Sequence, residues 1–254
     1  MFIATGYNLR NATATAEFFA LVARHSPMLK KIELIGCNLS EVPIDALPST
    51  IQSLSMTSSA LPSTWFQPLS VSSTFILPYL RELDLDLSEL DITLDDVAVG
   101  HIARAWPQLK ILKLNDRYPC MSCLREEGLR AIAVGLRQLE VLEIATKDVD
   151  VCNDVAIQAI CANLAATLRR LNVSDCPGFC EQCAVMVATM LTNLQSLELR
   201  DTYLRNAGVL HFAQRTSLRY LNVAPTGDWL WVNAFDDDVI GQLKRALSAC
   251  TIIH

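Results

Sequence analysis

Apolar side chains recur along this chain in one short phrase: a large aliphatic residue, two further residues, a second aliphatic, one mostly polar residue and a third aliphatic. Copies begin at residue 29 (LKKIEL), 51 (IQSLSM), 80 (LRELDL), 109 (LKILKL), 139 (LEVLEI), 168 (LRRLNV), 194 (LQSLEL) and 218 (LRYLNV), at intervals of 22, 29, 29, 30, 29, 26 and 24 residues. Alternation at positions 4 and 6 places two apolar side chains on one face of a short strand, with positions 3, 5 and 7 on the other. One such strand cannot bury its apolar face alone. The period therefore predicts coils stacked side by side, sharing one core and one parallel sheet. Extending the register backwards assigns Phe2 and Ala4 to positions 4 and 6 and sets Leu9 where Leu39 sits. The chain then begins inside a coil, with an open edge at Phe2 that offers a site for self-pairing.

Between the strands, apolar residues at helical spacing predict helices over 16–25, 96–106, 127–136, 154–168 and 183–191. Asp95, Asp154 and Glu181 stand near the helix starts, where acidic side chains satisfy free amides and suit the dipole. The 22-residue first interval is too short for a full helix, and Pro43 and Pro48 discourage one. The Ser- and Pro-rich segment near 57–79 reads as irregular cover, with Trp65 and Phe66 pinning it to the core.

The phrase, with Cys37 and Cys176 at position 9, resembles the leucine-rich repeat LxxLxLxx(N/C)xL, in its cysteine-containing class. The stretches ITLDDVAVGHIARAWPQLKILKL and LREEGLRAIAVGLRQLEVLEI are similar to F-box repeat proteins of fungal type. The resemblance implies an α/β fold, a right-handed leucine-rich repeat solenoid in a horseshoe arc, with a parallel sheet on the concave face and helices on the convex face. Residues 1–254 read as a single solenoid: a partial first repeat with its helix over 1–28, about eight repeats over 29–226, and a C-terminal cap helix over 227–254. In F-box proteins such arrays serve as the substrate-recognising part of cullin-type ubiquitin ligases. Position 9 departs from the class at Ser59, Ser88, Arg117, Lys147, Thr202 and Thr226, and no F-box precedes the array in this sequence. By itself the chain is not expected to dock onto a ligase.

A partner is expected on the concave face. Position 5 runs Ile3, Glu33, Ser55, Asp84, Lys113, Glu143, Asn172, Glu198, Asn222. Lys113 falls between Asp84 and Glu143 and relieves repulsion across the ladder. Positions 3 and 7 add Lys31, Glu82, Asp86, Asn115, Arg170, Arg200 and Tyr220. The acidic trio Glu82, Asp84 and Asp86 suits a protein partner with a basic or polar segment, although an exposed sheet face is polar in any case. Trp229, Trp231 and Phe235 read as a lid over the last coil, the alternative being interface anchors.

Composition narrows the function classes. A length of 254 residues with 51% hydrophobic content buries a sizeable core, and no run of about 20 apolar residues crosses a bilayer. Net charge is -6 and the pI about 5.2, which does not favour nucleic acid. Nine Cys without framework spacing indicate reduced, mostly buried thiols and a cytoplasmic or nuclear chain. CMSC at 120–123 and CPGFCEQC at 176–183 invite a zinc or redox reading, with Cys123, Cys152 and Cys180 at similar places on adjacent coils. No His accompanies them, and packing is the preferred account. His25, His101, His211 and His254 lack a nucleophile or carboxylate at motif spacing, and no Gly-rich phosphate loop occurs. The expectation is a non-catalytic protein-interaction module without metal or cofactor and without membrane contact. The alternative is a regulatory, sensor or inhibitor array, as in immune receptors or ribonuclease inhibitor.

Overall fold

The computed structural model describes residues 6–66, 76–86, 94–115, 124–146, 150–225 and 235–254. Its strands are β1 (Gly6–Arg10), β2 (Lys31–Ile35), β3 (Ser53–Thr57), β4 (Glu82–Asp86), β5 (Ile111–Asn115), β6 (Val141–Ala145), β7 (Arg170–Asn172), β8 (Ser196–Glu198), β9 (Tyr220–Asn222) and β10 (Thr251–Ile253). They form one parallel sheet in sequence order. Outside it lie α1 (Ala16–His25), α2 (Asp96–Ala105), α3 (Glu126–Gly135), α4 (Asp154–Leu164), α5 (Glu181–Met190), α6 (Asn206–Leu210) and α7 (Asp237–Ala246), each packed on its neighbours in the stack. This is an α/β solenoid of leucine-rich repeat type.

The register follows the sequence phrase. Ile32, Leu54, Leu83, Leu112, Leu142, Leu171, Leu197 and Leu221 stack at position 4. They and the position-1 and position-6 residues of the same coils are all buried. Each fully buried aliphatic side chain contributes about 2 kcal/mol, and stacking of adjacent coils completes that burial. Ile44–Ala46 and Ser63–Phe66 are 3-10 turns, as the short interval and prolines require. Trp65 is buried and its Nε1 donates to Val42 O at 2.7 Å, so this ring does pin the irregular segment.

Two register assignments need correction. β1 pairs Tyr7 with Ile32, Asn8 with Glu33 and Leu9 with Leu34. Positions 4, 5 and 6 of the first coil therefore belong to Tyr7, Asn8 and Leu9, and not to Phe2, Ile3 and Ala4. Leu9 is a strand residue, and Ala14 takes the place of Leu39. Counting apolar residues favoured FIA over YNL; what fixes the register is the corner that follows the strand. The first strand of the sheet among the described residues is Gly6–Arg10, while residues 1–5 lie outside those described. At the other end, Thr251–Ile253 adds a tenth strand beyond α7, which the sequence hid because Ala249 stands where the phrase has Leu.

The corners have a common chemistry. Position 8 is left-handed in Asn11, Gly36, Ser58, Asp175 and Asp201, with φ of 48, 62, 49, 60 and 52°. This turns position 9 inward, where a small polar side chain reaches a strand carbonyl. Cys37 Sγ donates to Leu9 O at 3.3 Å, Ser59 Oγ to Leu34 O at 3.3 Å and Cys176 Sγ to Ile144 O at 3.4 Å, each on the preceding coil. Thr202 Oγ1 bonds its own coil at Leu199 O, 3.0 Å away. Cys and Ser alternate at position 9 because either fits and either donates.

Helix starts are tied across coils. Asp95 caps α2, accepting from Ala98 N at 2.7 Å. Asn153, not Asp154, caps α4 through Ala156 N at 3.0 Å, and its amide donates to Glu126 Oε2 on α3 at 2.6 Å. Asn206 and Asp236 join α6 to α7 by bonds of 2.7 and 3.2 Å. Glu181 occupies the first turn of α5, whose cap position is Cys180.

Candidate functional site: the concave face

The strand alternation that buries positions 4 and 6 presents positions 3 and 5 on the opposite face. Across β4 to β8 the structure brings five of the expected residues into one chain of alternating charge. Lys113 Nζ stands 3.6 Å from Asp84 Oδ2 and 3.8 Å from Glu143 Oε1. Arg170 Nε lies 3.1 Å from the same Glu143 oxygen, and its terminal nitrogen lies 2.7 Å from Glu198 Oε1. Three carboxylates are held by two cations. Strands about 4.8 Å apart set residues of neighbouring coils within reach, and long side chains lean over the gap.

The face is less open than a polar surface strand suggests. Glu143 and Glu198 are only 7% and 8% exposed, and Asn172 and Asn222 are equally covered. Neighbouring side chains roof them. The asparagines turn back on their own chain: Asn172 Oδ1 accepts from Ser174 N at 2.9 Å, and Asn222 Oδ1 from Ala224 N at 3.2 Å. Asn222 Nδ2 also donates to Tyr220 Oη at 3.3 Å, which anchors that ring beside β9.

Other expected residues are not gathered into this chain. Lys31 is exposed and Glu33 half-buried on β2, separated from Asp84 by Ser53 and Ser55 of β3. Glu82, Asn115 and Arg200 are half-buried, and Asp86 pairs with Asn115 across β4 and β5. Sequence reasoning found the Asp84–Lys113–Glu143 contact and missed the role of Arg170. The signal was present: an Arg at position 3 with a Glu at position 5 of the coils on both sides.

The remaining chemistry is distributed. His25 Nδ1 is 2.9 Å from Leu21 O, His101 contacts Arg104 on its own helix, and His211 lies 3.8 Å from exposed Glu181. Cys120, Cys123, Trp229 and Trp231 lie outside the described residues, while Phe235 is partly buried against the core. Cys152 Sγ faces Cys176 Sγ at 3.1 Å in the interior, and Cys180 faces Cys183 at 3.6 Å, so the described part of the expected Cys123–Cys152–Cys180 group pairs differently. Among the described residues, no set of three or more His, Cys, Asp or Glu is arranged to hold a metal ion. In the same residues no helix is long and apolar enough to cross a membrane.

No family model matches the sequence, and no curated protein matches it. Solved structures do match. A chain of the crystal structure of the Rad7 and Elc1 complex in yeast superposes with a TM-score of 0.66 at 17% identity, covering 94% of this chain. An internalin (inlF) from Listeria monocytogenes gives 0.42 at 16% identity, covering 89% of this chain and 80% of its own. This chain spans 58% of the length of the Rad7–Elc1 chain, and at such identity the likeness is one of fold.

Proposed function

We propose that this chain is a non-catalytic protein-interaction module that grips a protein partner across its concave sheet. The observation that carries the reading is the Asp84–Lys113–Glu143–Arg170–Glu198 chain. Side chains already held in ion pairs lose little freedom on binding, and a patterned charge surface selects and orients a partner. The exposed or half-buried Lys31, Glu33 and Glu82 on one side supply further polar contacts, and the Tyr220 ring, held by Asn222, supplies an aromatic one on the other. A basic or polar segment fits the acidic side at β4.

The finer reading is the substrate-recognition part of a cullin-type ubiquitin ligase receptor, acting in cytoplasm or nucleus without nucleic acid, membrane or cofactor. Its support is the repeat class and the fold likeness to a chain solved within a two-protein complex.

Affinity capture from the source cell tests the face. Glu82→Lys/Asp84→Lys is expected to lose the partner recovered by the unaltered chain. Val134→Lys, on the exposed side of α3, is expected to retain it. Equal recovery of every protein by both variants rejects the concave assignment.

A further inference from the structure

α5 starts with a thiol where helices ordinarily place Ser, Thr, Asn or Asp. Cys180 occupies the cap position in an extended conformation, and its side chain makes no capping bond. Cys183 is the third residue of the helix. Cap and third residue are spatial neighbours at any helix start, so the sequence CEQC brings the two sulfurs together, 3.6 Å apart. One is open and one is closed: Cys180 is exposed and Cys183 fully buried beneath it. Among the described cysteines Cys180 is the exposed one; Cys250 is half-covered and the others are buried.

The thiols behind this pair are already engaged. Cys183 Sγ lies 3.9 Å from Cys152 O, Cys152 Sγ donates to Cys176 Sγ at 3.1 Å, and Cys176 Sγ donates to Ile144 O at 3.4 Å. With no solvent access at Cys152 or Cys176, a small oxidant reaches the cluster only through Cys180.

We propose that Cys180 and Cys183 form a reversible dithiol–disulfide site that exchanges with a low-molecular-weight disulfide of the glutathione kind. Cys180 thiolate attacks one sulfur of the small disulfide, its S–S bond breaks, and one small thiolate leaves with the bonding pair. Cys183 then attacks the Cys180 sulfur of the mixed disulfide and expels the second small thiolate, which takes up the Cys183 proton as it leaves. Both released thiolates take up a proton. Two protein thiols are oxidised and one small disulfide is reduced to two thiols. The sulfurs close from 3.6 Å to the roughly 2.05 Å of a disulfide by side-chain rotation about an exposed cap residue. Burial pushes the Cys183 thiol up to about 12, which assigns the first attack to the accessible sulfur and the second to the buried one.

The full chain, reduced and then incubated with oxidised glutathione, is expected to lose the mass of two hydrogens in a form that dithiothreitol restores. Cleavage after Glu181 separates the two cysteines, so a bridge between them leaves two peptides joined. Cys183→Ala is expected to halt with one glutathione on Cys180, and Cys180→Ser to show neither adduct nor bridge at this place. Cys180→Ser changes only an exposed side chain and retains the fold. A bridge to Cys183 that survives in Cys180→Ser, or a wild-type chain in which these two residues stay reduced, overturns the proposal.

Discussion

Asp96 Oδ1 accepts from Gly128 N at 2.9 Å and from Arg125 N at 2.7 Å, so the first residue of α2 caps α3 from the neighbouring coil. α3 needs this, because Arg125 at its own cap position supplies no side-chain acceptor. The approach also requires Gly128, where a Cβ would stand 2.5 Å from Asp96 Oδ1 and 2.4 Å from Leu124 Cδ1.

Asp96→Ala is therefore expected to cost about 1 kcal/mol, the usual value of a lost cap. Gly128→Ala gains helix propensity of about 1 kcal/mol but meets both contacts, and the net sign is destabilising. Urea unfolding of the two variants checks this. A more stable Gly128→Ala would show that the neighbouring coil yields.

The charge chain distinguishes its two cations. The Arg170 side chain is 43% exposed yet closes on the buried carboxylates of Glu143 and Glu198, whereas Lys113 holds its partners at 3.6 Å or more. Arg170→Ala is expected to cost about 2 kcal/mol, reduced from the buried-pair value because water replaces half of the guanidinium. Lys113→Ala is expected to cost about 1 kcal/mol or less and to lose most of its effect in about 1 M salt. Denaturation at two ionic strengths separates the cases.

Gly36 lies in the left-handed region at φ of 62°, and a Cβ there would stand 2.3 Å from Asn11 Oδ1. Gly36→Ala is expected to cost about 2 kcal/mol, from the backbone strain together with displacement of that amide. Ser58→Gly, at the equivalent corner with φ of 49°, is expected to be neutral or slightly stabilising. Melting temperatures of the pair decide whether the corner or the side chain sets the cost.

Alkaline stability has an assignable group. Burial alone pushes the Cys161 thiol up to about 12 from an ordinary value of 9.0. Between these values the unfolded chain has released a proton that the folded chain keeps. Stability is thus full below pH 9 and falls through the window from 9 to about 12 by roughly 1.4 kcal/mol per pH unit for this group. Cys161→Ala is expected to be less stable at neutral pH and to show a shallower fall above pH 9, which urea titration at pH 8 and pH 10 measures.

The stack was legible because its signal is redundant: from β2 to β9 every coil fills positions 1, 4 and 6 with Leu, Ile, Val or Met. Where a coil breaks that demand, as at Tyr7 or Ala249, composition alone misplaced or missed the strand. The corner at position 8 shows what a pattern search omits, since Asn11, Gly36, Ser58, Asp175 and Asp201 share a conformation and not a residue type. On the concave face the row of polar residues was evident, but the partners each one selects depend on diagonal neighbours. Arg170 reaching both Glu143 and Glu198 is set by two adjacent strands at once.

The elements on the outer side differ in girth along the chain. Packed α-helices sit about 8–10 Å apart while their strands are held at about 4.8 Å, so each coil from β4 to β8 tapers inward. Among the described residues, the coils at β2 and β3 carry the 3-10 turns Ile44–Ala46 and Ser63–Phe66, which are slimmer than α-helices. This difference in girth predicts a straighter inner wall from Lys31 to Ser55 than beyond Asp84. For the partner proposed above, that difference would suit an extended segment along the first stretch and a rounded surface along the second.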